Sequence, residues 1–294
     1  MSDSIEADVV PLLDWSFRAM GTAWRIHHSG GVTGEDAQAV ADLVGADERR
    51  WSRFAPQSDV ARINGGAGRP VEVAAATVEL VAAALAWNLR TDGIFAPLVG
   101  ARLAGWGYHR RLGDATAEPE PGTVPDSSGI ELDVEHRTVQ IPAGTQLDLG
   151  GIGKSWSGVR AGALLADRVT DRRLIIDAGG DLTIVRGTHS IATAVGAIRA
   201  EAGEGVATSS SERRSWNVPA GGRAHHLIDP TTGNPGARGT AVVAGTDPVA
   251  ADVLASCLVL RPALLETIPA AAARSDVDGV TLTNAAWRAR TGAP

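Results

Sequence analysis

The chain is 294 residues long, 44% hydrophobic and 21% charged, with a formal net charge of −7. This is the composition of a globular protein with ample core, and its acidity argues against a general nucleic-acid footprint, which would be basic. The one cysteine, Cys257, leaves no internal disulfide and no thiolate metal cluster, and no stretch approaches the roughly 18 apolar residues of a membrane span.

Residues 1–10 carry Asp3, Glu6 and Asp8, no basic residue, and no apolar run follows them. They do not read as a signal peptide, so the expected location is the cytoplasm. Residues 1–14 read as a poorly ordered N-terminal segment ahead of one domain over 15–290. Residues 17–28 begin as a strand, with Trp24 and Ile26 alternating with polar positions. Residues 35–51 read as a helix with the apolar stripe Ala39, Val40, Leu43 and Val44. Residues 77–90 form a second helix, apolar nearly all round, stopped by Asp92-Gly93 and expected to be central. Residues 112–129 are rich in Pro, Gly, Asp, Glu and Ser and read as a surface excursion. Residues 130–141 alternate as a strand, and Pro142-Ala143-Gly144-Thr145 is a turn. A helix over 155–169 starts from a glycine run. Residues 174–176, 182–185, 191–195, 241–244 and 280–282 are short strand-like runs, and 248–260 and 263–274 read as helices. Cys257, within the apolar run 254–260, reads as a core thiol. Strands and helices do not alternate regularly, so an α+β architecture is expected rather than a doubly wound sheet.

The most informative segment is Asp148-Leu149-Gly150-Gly151-Ile152-Gly153-Lys154-Ser155, which holds the only lysine of the chain. Glycine backbone amides and a compact ammonium suit a phosphate group. A phosphate-loop nucleoside triphosphatase would need glycine where Asp148 stands, so that reading fails at its first position. The bland alternative is a glycine turn opening a helix, with Lys154 in solvent. A second candidate is His225-His226 before the turn sequence Asp229-Pro230-Thr231-Thr232-Gly233. Adjacent histidines in an extended chain face opposite sides, so one of the two serves a given cleft. Asp252 and Ser256, four apart on an apolar helix, share one face and suit a hard cation such as Mg²⁺. Their bland alternative is a Ser256 hydroxyl bonded back to the Asp252 carbonyl. Asp177-Ala178-Gly179-Gly180-Asp181 follows an apolar strand and suits a ligand rim.

Taken in order, these segments resemble the ApbE-like FAD:protein FMN transferases. Met20-Gly21-Thr22, the stretch from Trp51-Ser52-Arg53-Phe54 through Ser58 to Asn64, and Gly93-Ile94-Phe95-Ala96-Pro97 with Trp106-Gly107-Tyr108 match the family in its N-terminal part. The glycine run, Ala178-Gly179-Gly180-Asp181, Thr208-Ser209-Ser210, His226-Leu227-Ile228-Asp229-Pro230 and Ala251-Asp252 through Ser256 match the rest. The resemblance implies a single two-lobed α+β domain, with mixed or antiparallel sheets flanked by helices and an FAD cleft between the lobes. It implies Mg²⁺-dependent transfer of FMN from FAD to a Thr or Ser hydroxyl of an acceptor protein carrying an FMN-binding domain, with release of AMP. An FAD-binding protein, or a pyrophosphatase giving FMN and AMP, is the alternative on the same fold. Carried over by position, Gly151 (through its carbonyl), Asp252 and Ser256 would hold the metal. Met20, Phe54, Ile94, Phe95, Ala96, Asp148, Lys154, Asp181 and the backbone at Leu227 would line the FAD site, and His226 would be the acid/base. Ser256 stands where the family usually has Thr, Ala96 where it has Asp, and Phe54 where Tyr is common. Gly153 and Ser155 replace Ala and Gly.

Overall fold

The computed structural model describes residues 12–109, 122–170, 172–193, 196–219, 222–268 and 271–287. β1 (Leu13–Ala19) and β2 (Thr22–His28) pair as a hairpin closed by Met20 (φ 50°) and Gly21 (φ 71°). Two consecutive positive φ angles make the tight turn whose twist suits paired strands. Glycine enters that region without strain; Met20 does so only because its surroundings hold it, and its side chain packs against two apolar clusters. Trp24 and Ile26 point fully inward, as their alternation predicts.

α1 (Gly34–Trp51) opens with a capping box: Thr33 Oγ1 accepts the Asp36 N–H at 3.2 Å and Asp36 Oδ2 accepts the Thr33 N–H at 3.1 Å. Next come α2 (Asp59–Asn64), β3 (Val71–Glu72), α3 (Ala75–Arg90), α4 (Gly100–Gly105), β4 (Glu131–Asp133) and β5 (Thr138–Gln140). The three short strands form a sheet ordered β3-β5-β4, and with the helices they enclose Ile63, Leu80, Val81, Leu98, Val139 and Leu147. α3 is not the central helix its composition predicts: Leu89 is 82% exposed, and Glu79, Ala82 and Ala86 also face solvent. Alanine raises apolarity on every face of the helix, yet an exposed methyl group costs little, so composition overstated burial.

α5 (Gly153–Ala166) leads into β6 (Leu174–Asp177), β7 (Leu182–Arg186), β8 (Thr188–Thr193), β9 (Gly196–Glu201), β10 (Gly205–Ser210), β11 (Ser215–Asn217), β12 (Arg223–His225) and β13 (Gly239–Thr246). α6 (Pro248–Leu260), β14 (Ala272–Val277) and β15 (Val280–Thr283) complete the order. The main sheet has eight strands, β1-β2-β6-β7-β10-β13-β14-β15, and every neighbouring pair is antiparallel. β8–β9 and β11–β12 are separate hairpins. The architecture is the expected α+β, in one domain.

The enclosed helix is α6. Asp247 caps it, accepting the Ala250 N–H at 2.9 Å, with Pro248 at its first position. Ala251, Leu254, Ala255 and Leu258 pack with β10 and β13, while Val249, Val253 and Cys257 join the core beneath α3. Each enclosed Val or Leu contributes about 1.5–3 kcal/mol. Burial pushes the Cys257 thiol up to about 12, as suits a core thiol.

The helix expected over 263–274 is corrected. Residues 262–267 form a short 3₁₀ turn, 269–270 lie outside the described residues, and β14 takes 272–274, with Ala272 and Ala273 opposite Ala244 and Val243 of β13. Alanine's helix preference amounts to tenths of a kcal/mol per residue, and a buried strand ladder outweighs it. Residues 1–11 and 110–121, the latter holding 112–121 of the expected surface excursion, lie outside the described residues; Ser127–Gly129 is a 3₁₀ turn, and β1 already includes Leu13 and Asp14. No helix among the described residues is long and apolar enough to cross a membrane.

Candidate active site

The glycine run is stitched down before it turns into α5. Asn64 grips the Leu147 peptide from both sides, its Nδ2 donating to the carbonyl at 3.0 Å and its Oδ1 accepting the N–H at 2.7 Å. Asp148 N–H donates to the Pro97 carbonyl at 2.9 Å, tying the run to the Ile94–Ala96 segment. The Asp148 carboxylate accepts the Gly150 N–H at 2.7 Å and Arg53 Nε at 2.6 Å. It therefore shapes the loop, which explains an acid where a phosphate loop would need glycine. A Cβ at Gly151 would stand 3.2 Å from the Phe95 ring, so glycine lets that ring close on the loop. The Gly151 carbonyl receives no hydrogen bond among the described residues.

Lys154, in the first turn of α5, is not in solvent: its side chain is 17% exposed and its Nζ pairs with Asp181. Burial lowers its pKa, Asp252 and Asp177 oppose that, and Arg214 and Arg213 reinforce it. Asp181 follows Gly179 and Gly180 on the loop after β6, where both glycines have positive φ. A Cβ at Gly179 would collide with the Thr22 side chain, so the Met20-Gly21-Thr22 turn rests on this loop.

The facing wall is α6. Asp252 is 4% exposed, and its Oδ2 is buried with no hydrogen-bond partner. Ser256 Oγ lies 2.7 Å from Ser209 Oγ on β10, so the hydroxyl meets a side chain across the site. Among the described residues no three His, Cys, Asp or Glu side chains cluster as metal ligands. The available donors are all oxygens, from one carboxylate, one hydroxyl and one unengaged carbonyl. That set fits Mg²⁺, which binds few protein groups and keeps waters or substrate oxygens. The orphaned Asp252 oxygen is the observation that favours a cation here.

The two histidines have different partners. His225 Nε2 faces the Gly236 carbonyl at 3.1 Å. The His226 N–H donates to the Arg214 carbonyl at 3.2 Å, and its Nδ1 is buried without a partner. Burial first, then the charges of Arg214, His225 and Lys154, push His226 down to about 3. It is a neutral imidazole at pH 7, as a general base must be. Leu227 and Ile228 are buried, and the Leu227 carbonyl accepts the Gly236 N–H at 2.9 Å. The following turn is anchored by Arg261, which binds Asp229 with two nitrogens at 2.8 and 3.0 Å.

Aromatic rings border the site. Tyr108 stacks on Trp216 with centroids 5.5 Å apart, and Phe54 meets Tyr108 edge-on at 5.9 Å. The Arg53 guanidinium sits 4.3 Å from the Phe54 ring centre. Phe95 is buried, while Ile94 and Ala96 are partly buried on the same core. The structure thus joins Lys154, Asp181, Asp252 and His226 by charge, Gly151 to Phe95 by contact, and Phe54 to Asp148 through Arg53. Sequence reasoning assigned no role to Arg53, Ser209, Arg213, Arg214 or Trp216. The one available signal was the Arg213-Arg214 doublet lying between two family-like segments, and a charge doublet in a polar connection ordinarily reads as solvated.

Residues 20–278 match the ApbE family. The FAD:protein FMN transferase of Klebsiella pneumoniae is 28% identical over 252 residues, covering 74% of this chain and 69% of the relative. That of Salmonella typhimurium is 27% identical over 250 residues, with the same coverage. The fold superimposes on the ApbE protein of Thermotoga maritima with a TM-score of 0.84 at 24% identity, covering 96% of this chain and 99% of that one. It also matches the apo form of the Pseudomonas stutzeri flavinyl transferase ApbE, with a TM-score of 0.78 at 20% identity and coverage of 97% and 98%. At these identities the solved structures establish the fold. The family match, spanning most of the chain, establishes more: the chain belongs to the ApbE family, whose relatives named above are flavin-transferring enzymes.

Proposed function

We propose that this protein is an FAD:protein FMN transferase, acting with Mg²⁺ on a Ser or Thr hydroxyl of an acceptor flavoprotein and releasing AMP. The observation that carries the reading is the convergence of a half-buried lysine, a neutral, half-buried histidine and a buried carboxylate with one partnerless oxygen on one site. Phosphoryl transfer is chiefly positioning and charge neutralisation, and these groups suit both. The acceptor oxygen attacks the phosphorus on the flavin side of the diphosphate. The bond from that phosphorus to the bridging oxygen breaks, and AMP departs with the oxygen. His226 takes the hydroxyl proton. Lys154 and the glycine run hold phosphate oxygens, and Met20, Phe54, Ile94, Phe95, Ala96, Asp148, Asp181 and the backbone at Leu227 border the FAD. Gly151, Asp252 and Ser256 would hold Mg²⁺, which when bound neutralises charge on the diphosphate. Ser256 in place of Thr keeps the hydroxyl, and Ser209 restrains it.

The test is incubation of the purified protein with FAD and Mg²⁺, with and without a Ser/Thr-bearing FMN-binding domain. In-gel flavin fluorescence of the denatured acceptor is expected. Release of FMN and AMP with no covalent flavin on any acceptor would make water the nucleophile and the enzyme a pyrophosphatase.

A further inference from the structure

After β10 the chain turns through Ser211-Glu212-Arg213-Arg214, and this turn is firmly held. Ser211 is buried, its N–H donates to the Gly239 carbonyl at 3.0 Å, and its Oγ accepts the Gly239 N–H at 3.0 Å. The two arginines that follow make no ion pair among the described residues, although Arg25, Arg53, Arg62, Arg160 and Arg261 all do. Their guanidinium contacts are with uncharged oxygens. Arg213 Nη1 donates to the Gly179 carbonyl at 3.2 Å, and a Cβ at Gly180 would approach the same nitrogen to 2.9 Å. Arg214 Nη1 donates to the Tyr108 hydroxyl at 3.1 Å.

Both guanidinium groups act on the charge of Lys154, and Arg214 acts on His226. Lys154, Arg213 and Arg214 thus lie close enough for their charges to bear on one another. Of the nearby carboxylates, Asp181 is taken by Lys154, Asp177 lies beside His27 and Arg25, and Asp252 stands on the opposite wall. Adjacent guanidinium forks without carboxylates match an anion that presents several oxygens over a short span. We propose that Arg213 and Arg214 clamp the diphosphate of the dinucleotide substrate, Arg214 exchanging the Tyr108 hydroxyl for a phosphate oxygen. Because the His226 N–H bonds to the Arg214 carbonyl, the clamp and the base are set by one stretch of backbone. This rests on the FAD reading above, since it assigns the subsite for that ligand's two phosphates.

The experiment is equilibrium binding in EDTA with two probes: ADP, a diphosphate without flavin, and riboflavin, a flavin without phosphate. Arg213→Gln and Arg214→Gln should each weaken ADP about tenfold or more, the double variant further, with riboflavin affinity unchanged. Arg214→Lys, which keeps the charge and loses the fork, should fall between wild type and Arg214→Gln. Unchanged ADP affinity in the double variant overturns the proposal, and so does an equal loss for both probes, which would mark the turn as structural. Wild-type protein that binds ADP but not riboflavin would remove the flavin reading and leave the clamp standing.

Discussion

Two buried carboxylates on two helices make the instructive comparison. Asp47 on α1 is inaccessible, and each of its oxygens is engaged: Arg50 donates at 3.2 Å, Ser157 at 2.9 Å, and Arg160 pairs with it. Asp252 on α6 is almost as buried, yet one of its oxygens has no donor. A buried charge without a partner is costly, so a fold retains one where a ligand supplies the missing contact. Asp47 closes a structural joint between α1 and α5. Asp252, with Lys154, His226 and the two arginines that make no ion pair among the described residues, forms an incomplete electrostatic set that a ligand would complete.

The comparison breaks most visibly at Asp252. Asp252→Ala should abolish Mg²⁺-dependent turnover while the melting temperature holds or rises, because the change removes an unsatisfied charge. Turnover assays beside thermal denaturation check both halves; undiminished activity would remove the metal assignment. His226→Ala should slow transfer by about 10²–10⁴-fold, the usual contribution of a positioned base, and leave FAD affinity nearly unchanged. Single-turnover kinetics and FAD titration separate the two effects, and a wild-type rate would end its catalytic role. Asp47→Ala should do the opposite of Asp252→Ala. It strands Arg160 in a partly buried setting, so a loss of about 3 kcal/mol in denaturant unfolding is expected, with transfer per folded molecule retained. A large loss of activity at full stability would erase the distinction between the two clusters.

The smallest effects are in pH dependence, where two histidines differ in sign. The Asp177 carboxylate, 3.8 Å from Nε2, raises the His27 pKa, partial burial opposes it, and the hydrogen-bonded Asp14 adds to it. Its contribution to stability is fully present below about 6.5 and fades as pH rises through the raised folded value. His226 is depressed to about 3, so below pH 6.5 the unfolded chain binds a proton that the folded one refuses. Stability then falls as pH drops from 6.5 towards 3. His27→Gln should cost under about 1 kcal/mol, more at pH 6 than at pH 8.5, as for a partly exposed pair. His226→Gln should flatten the acid limb of the stability curve. Identical pH profiles for wild type and both variants would contradict these assignments.

Much of the site was legible as short segments. The glycine run, the Asp252–Ser256 spacing and the histidine pair each carry their geometry locally, because helix and strand periodicity decides which side chains share a face. Other features were not. The stretch 272–277 is a strand because β13 offers a ladder to its alanines, and α3 exposes a face because its outer positions carry alanine. Arg213 and Arg214 carry no such local signal, since nothing in a polar connection announces what it turns towards.

The sequence by itself determined the family-like order of segments, the α+β class, and the residue types available for phosphate and cation chemistry. Only the tertiary structure decided that Lys154 is paired with Asp181, that Asp148 shapes its own loop with Arg53, and that one Asp252 oxygen lacks a donor. The reason is that spacing acts over a few residues, whereas burial and charge balance are set by groups that folding brings together from distant parts of the chain.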